Sequence, residues 1–252
     1  MTGFVIITMA GLSSRFADAG FAAPKFMLDV QGRPIFDWAM QSLQGFIDGG
    51  WGFTFVTRDD EDVLRFVKSR SQMLGIVVDA LVPLRETTRG QAESAFIGAR
   101  AASCSNSAPL VIFNVDTFVQ PGAINVSEVQ GSDGWIPCFP GEGSSWSFVS
   151  IDGTGHAREV AEKRRISEWA SVGLYGFRSK DLFDDAYLRH IATGASKNEE
   201  RFVAPLYNVL LADLRRVLVP KLGERDVVAL GTPSDVRAVD KHFAPPGRVH
   251  FA

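Results

Sequence analysis

Four apolar residues near the start, Phe4-Val5-Ile6-Ile7, run almost directly into Met9-Ala10-Gly11-Leu12-Ser13-Ser14-Arg15, and Pro24-Lys25 follows ten positions after Arg15. An unbroken apolar run of this kind belongs to a strand buried on both faces, as in a parallel sheet with helices on each side. A loop of small residues straight after such a strand lets backbone N–H groups approach a phosphate, and fixed cations add charge. Arg15 can grip two oxygens with its planar fork, whereas Lys25 acts as a point charge, so the pair suits a polyphosphate. The competing reading is a strand–turn–helix carrying two surface cations. Three better-known loops are excluded: there is no GxxxxGK[ST], Gly11 lacks the further glycines of GxGxxG, and Arg15 stands where GxSxG needs its second glycine.

The rest of the chain alternates strand-like and helix-like segments. Residues 26–30 read as a short extended piece turned by Gln31-Gly32-Arg33, and Pro34 suits the first turn of a helix whose apolar face is Ile35, Ala39, Leu43 and Phe46. Residues 51–57 form a second strand, residues 59–70 a helix with acids in its first turn, and residues 76–78 a third strand. A helix runs from the turn at Gly90 to about residue 102, with Ala92, Ala95, Phe96 and Ala99 inward. Residues 109–113 are the next buried strand. Asp116 lies just past its carboxyl end, where open α/β sheets place ligand-binding groups. Magnesium takes one or two carboxylates together with substrate phosphate oxygens, so Asp116 is the metal candidate; an Asx-type turn is the alternative. Further strands are expected at 135–139, 145–151, 157–163, 171–177, 215–219 and 226–230, with a hairpin turn at 152–155 and helices at 179–193 and 203–211.

Bulk properties narrow the function classes. The 252 residues suffice for one large domain, and the formal net charge of −3 gives no broad nucleic-acid or anionic-membrane surface. Two cysteines, Cys104 and Cys138, form no CxxC, so neither a zinc site nor a disulfide framework is indicated. The first apolar run is too short to span a bilayer and no signal-type segment precedes it, which makes cytoplasmic the expectation.

The opening loop together with Pro24-Lys25 resembles the signature of nucleotidyltransferases that make sugar nucleotides and related activated alcohols. Similar, weaker pieces recur in order: Gly90-Gln91-Ala92, Asn114-Val115-Asp116, Glu162-Lys163 and Gly231-Thr232-Pro233. The resemblance implies an α/β fold, a three-layer α/β/α sandwich with a mixed, mostly parallel sheet of the nucleotide-diphospho-sugar transferase type. It also implies a single domain over residues 1–243, a hairpin region that extends the sheet, and an irregular tail over 244–252. The activity implied is transfer of a nucleotidyl group from an NTP to a phosphorylated small acceptor with release of pyrophosphate. Ala10, Gly11, Leu12, Ser13 and Ser14 would cradle the triphosphate, and Arg15 and Lys25 would be catalytic. Gly90 and Gln91 would meet the base, and Asp116 would bind Mg²⁺. Glu162 and Lys163 would hold the acceptor, Trp146 would wall its pocket, and Glu199 or Glu200 would touch it. Arg164 and Arg165 either join Lys163 around an anionic acceptor or form a solvated charge run. The partners implied are an NTP and the acceptor, with no nucleic acid or membrane; a homo-oligomer is left open. The chain departs from the pattern at Ala229, where members carry a second metal-binding aspartate, and at Ser234, where they carry an acid. Two other classes stay open: a glycosyltransferase on the same fold, and a non-catalytic nucleotide-sensing relative.

Overall fold

The structure, a computed structural model, describes residues 1–193 and 200–245. Strand β1 (Phe4–Thr8) leads through the small-residue loop into α1 (Ser14–Asp18), a helix of five residues anchored by buried Phe16. After a tight turn at Lys25–Met27 come β2 (Asp29–Val30) and β3 (Arg33–Pro34), paired antiparallel. The helix expected after Pro34 is broken into α2 (Ile35–Gln41) and α3 (Gln44–Asp48). Next are β4 (Gly52–Arg58), α4 (Glu61–Met73), β5 (Val78–Leu84), α5 (Gln91–Ala101), β6 (Leu110–Asn114) and β7 (Thr117–Val119). Asp60 caps α4 by accepting from the Asp62 and Val63 N–H groups. The third strand thus begins where residues 76–78 were expected to end, because a turn at Gly75 with φ of +68° follows α4.

The middle of the chain is β8 (Gly134–Trp135), β9 (Cys138–Pro140), β10 (Ser147–Ile151), β11 (Ala157–Glu162), β12 (Trp169–Ser171) and β13 (Leu174–Phe177). Two expected strands are therefore each cut in two. The first breaks at Ile136-Pro137, where proline offers no N–H to a ladder. The second breaks at Gly173, whose φ of +80° bends the chain through the left-handed region. At each break the chain passes between sheets, and the two crossings touch: Val172 N–H donates to the Pro137 carbonyl at 3.2 Å. The chain continues through α6 (Lys180–Ala192), a tight turn at Ala204–Leu206, α7 (Tyr207–Ala212), β14 (Val217–Leu218), β15 (Val227–Ala229) and α8 (Pro233–Val239).

The main sheet has seven strands in the order β14-β8-β13-β6-β1-β4-β5. All its pairings are parallel except the two made by β13. Alternation along β1 divides the core: Val5 and Ile7 face Phe36, Met40 and Val63 from α2 and α4, whereas Phe4 and Ile6 face Ala92, Ala95 and Ala99 from α5. The result is a three-layer α/β/α sandwich with a mixed, mostly parallel sheet. The hairpin region does not extend that sheet. It forms a separate antiparallel sheet, β11-β10-β12-β9, because Pro137 and Gly173 carry the chain away and back. A third core cluster joins Phe16, Phe21, Ile35, Leu230 and Phe243, so α1 rests on the end of the described chain; the expected tail beyond residue 245 lies outside the described residues.

Candidate active site

A cleft of about 1060 Å³ opens between the carboxyl ends of β1 and β6 and the end of the four-stranded sheet. From the first loop, Ala10, Gly11, Leu12 and Arg15 line it. Ser13 and Ser14 do not line it; Ser13, in the left-handed region with φ of +53°, instead accepts the Lys25 N–H on its Oγ at 3.2 Å. That bond ties the first loop to Pro24-Lys25 across the intervening residues. Phe16 fixes α1 by edge-on packing against Phe21 and Phe243, leaving the adjacent Arg15 exposed at the cleft mouth.

Lys25 does not line the cleft either; its Nζ donates to Oδ2 of Asp116, which does, at 2.7 Å, with both side chains about three-quarters covered. Beside them is Asn114, whose Oδ1 is buried without a hydrogen-bond partner among the described residues. Gly173 is held against that amide so closely that a Cβ there would sit 2.4 Å from Asn114 Oδ1. Ala229 pairs with Thr117 in the β15–β7 ladder and presents a methyl to the cleft. Gly231 also lines the cleft, and a Cβ added there would lie 3.4 Å from Asp116 Oδ2. Asp235, in the first turn of α8, contributes a second carboxylate to the lining. No three His, Cys, Asp or Glu side chains among the described residues are grouped to hold a metal. The donor set fits a hard cation that arrives with phosphate oxygens, since Asp116 alone is a minimal carboxylate for magnesium.

Gly90, expected to meet the base, opens α5 and Gln91 follows; both line the cleft. The Gln91 Nε2 group is buried with no hydrogen-bond partner among the described residues. A buried amide donor without a partner is costly, so this group calls for a partner that the described residues do not supply.

On the other side, Glu162 ends β11 and Lys163 follows with φ of +51°. Glu162 is mostly buried and accepts from Ser147 Oγ, which also meets Tyr175 OH at 3.1 Å. Burial pushes the Glu162 carboxyl above the ordinary glutamate value, and the Ser147 bond and Lys163 oppose that shift. Lys163 Nζ stands 4.3 Å over the Phe202 ring and 3.6 Å from a Glu200 carboxylate oxygen. Trp146 packs edge-on against Phe139 and lines the cleft. Arg164 pairs with Glu159, Arg165 lies over Phe148, and neither lines the cleft. Glu200 lines it, whereas Glu199 lies outside the described residues. Sequence reasoning gave no role to Asn114, Ser147, Tyr175 or Phe202, all of which line the cleft.

Strand ends of a mostly parallel sheet, roofed by a second sheet over a cleft that runs from a glycine loop to a Glu-Lys pair, define the nucleotide-diphospho-sugar transferase type of fold. No family model matches the chain, and no curated protein sequence matches it. Solved structures do. The nucleoside-diphosphate-sugar pyrophosphorylase from Vibrio cholerae RC9 is 31% identical, with a TM-score of 0.87 over 94% of this chain and 100% of that one. The inositol-1-phosphate CTP transferase from T. maritima aligns over 97% of this chain and 98% of its own at 14% identity and a TM-score of 0.72. A UDP-glucose pyrophosphorylase aligns over 95% and 97% at 15% identity and a TM-score of 0.74. These last two likenesses concern the fold alone. The chain belongs to the family of the nucleoside-diphosphate-sugar pyrophosphorylases, and it is a nucleotidyltransferase. No helix among the described residues is long and apolar enough to cross a membrane.

Proposed function

We propose that this enzyme transfers a nucleotidyl group from an NTP to a sugar 1-phosphate or phosphoalcohol and releases pyrophosphate. The observation that carries the reading is one cleft lined by Arg15, Asp116 and Glu162-Lys163, with Lys25 held on Asp116 at 2.7 Å. Gly11 and its neighbours would accept the triphosphate against their N–H groups, and Arg15 would grip the leaving pyrophosphate. Lys25 would stabilise charge gathering at the α-phosphate, once that charge competes for its ammonium with Asp116. Lys163 would hold the acceptor phosphate, whose oxygen attacks the α-phosphorus in line while the bond to pyrophosphate breaks. Glu162 would take acceptor hydroxyls, and Trp146 would shield that pocket. No enzyme nucleophile is needed; positioning and charge stabilisation suffice. A bound Mg²⁺, held by Asp116 and phosphate oxygens, would neutralise phosphate charge.

The same reading takes residues 1–243 as one catalytic domain, since both sheets line the cleft. It places the enzyme in the cytoplasm, where NTP is supplied, and, by analogy with the family its opening loop resembles, in surface-polysaccharide assembly. The test is pyrophosphate release from each of the four common NTPs against a panel of sugar 1-phosphates and phosphoalcohols, with and without Mg²⁺. One NTP–acceptor pair should stand out. Release from no pair would overturn the reading, and turnover of a finished nucleotide sugar instead would favour a glycosyltransferase.

A further inference from the structure

The base side and the acceptor side of the cleft are not independent walls. Gly90 and Gln91 line the cleft, and so do Glu200 and Phe202, the groups beside Lys163. Arg201, between the latter two, does not line the cleft. Its backbone is spent on the base-side turn: Arg201 N–H donates to the Arg89 carbonyl at 2.6 Å, and its carbonyl accepts from Ala92 N–H at 2.9 Å. Gly90, with φ of +134°, lies under this bridge, and a Cβ on it would stand 2.6 Å from the Arg201 oxygen. The glycine is therefore required by protein backbone on that face.

The Arg201 side chain closes the same loop. Its guanidinium donates to Tyr187 OH at 3.0 Å and to Glu93 Oε1 at 3.3 Å, and Glu93 Oε2 accepts the Arg89 N–H. Tyr187 is stacked on Phe96 of α5 with ring centroids 4.4 Å apart. Arg201 is thus pinned at backbone and side chain to α5 and its opening turn. The segment it carries supplies Glu200 and Phe202, the groups on which Lys163 rests.

We propose that Arg201 is a positioning residue that locks the base-side turn and the acceptor-side segment into one unit, so that nucleotide and acceptor bind with positive coupling. The proposal rests on the nucleotide-and-acceptor reading of the cleft. Two sites sharing one two-state element bias each other reciprocally, and couplings of this kind are typically about five-fold or more.

The test uses the full chain. Amide hydrogen exchange is followed with each of the four NTPs and Mg²⁺, in wild type, Arg201→Met, Arg201→Lys and Glu93→Gln, after thermal melts show which variants are folded. In wild type, NTP should slow exchange both at Gly90–Ala92 and at Glu200–Phe202. In Arg201→Met, which keeps the backbone bridge but loses the bonds to Tyr187 and Glu93, it should protect the first as in wild type and the second distinctly less. Glu93→Gln removes one anchor and should weaken the spread, which keeps the test open if the arginine variants do not fold. With the best pair from the pyrophosphate panel, the acceptor KM should fall about five-fold as NTP approaches saturation in wild type and stay flat in Arg201→Met. Pyrophosphate release without spread of protection overturns the coupling alone. Spread without release overturns the functional reading alone, and neither overturns both.

Discussion

Lys25 and Asp116 are 91 positions apart in the chain and 2.7 Å apart in the fold. In the proposed mechanism Lys25 meets phosphate and Asp116 meets metal, so their ion pair must yield when substrate competes. Replacing Lys25 by alanine should cut turnover on the order of 100-fold, the scale of losing a transition-state charge partner. Its effect on stability should be small, about 1 kcal/mol or less, because both partners keep some solvent contact. Steady-state kinetics and a thermal melt separate the two effects; near-normal turnover would remove Lys25 from the mechanism. Glu162 makes a pH prediction. Its carboxyl titrates above the ordinary value, so across the window from that value upward the folded state binds more proton than the unfolded chain. Stability from this group is therefore present at low pH and lost as pH rises through the folded value. Glu162→Gln cannot ionise, so its melting temperature relative to wild type should climb with pH through that window. A parallel pair of pH–stability curves would sink the argument.

Among the elements, α5 carries Gln91, proposed to meet the base, and packs directly on the sheet. Gly98 makes this approach: a Cβ there would sit 2.6 Å from Val56 Cγ2 and 2.8 Å from Ile6 Cγ2. Alanine gains about 1 kcal/mol of helix propensity over glycine. Overpacking against two buried β-branched side chains costs about 1–3 kcal/mol. Gly98→Ala should therefore be net destabilising in a urea titration, and the KM for NTP should rise because Gln91 rides on the displaced helix. A variant that gains the full propensity increment would show that the helix can step back freely. The β10–β11 hairpin illustrates what an element hides. Its turn at Asp152–Gly155 was legible from residue types, yet the ladder shifts register between Ser150 and Ile151. Counting back from the turn puts Ser147 opposite Ala161; the bulge puts it opposite Glu162, where its hydroxyl meets the carboxylate. A one-residue slip exchanges the faces of a strand, which is why this partner could not be counted from sequence.

At the scale of the whole molecule, the cleft is an interface between two sheets, and ligand that binds only the folded form stabilises all of it. The preferred NTP with Mg²⁺, present at 100 times its Kd, should add about 2.7 kcal/mol. For a chain of this size that raises the melting temperature by roughly 5–11 °C, at about 2–4 °C per kcal/mol. No shift with any of the four NTPs would contradict nucleotide binding. The alternation of apolar runs with helical segments, the loop ending in Arg15, and Asp116 past a buried strand all follow from local residue patterns. Those patterns report burial and backbone freedom, and they were enough to show alternating strands and helices; the three-layer sandwich came from the resemblance of the motifs to a known family. The second sheet was not readable, since Pro137 and Gly173 signal only a break and not where the chain goes next. Nor was the Arg201 bridge, because an arginine in an extended segment carries no mark of its distant partner. Contacts between residues far apart in sequence are fixed by how the layers pack, and only the tertiary structure supplies that information.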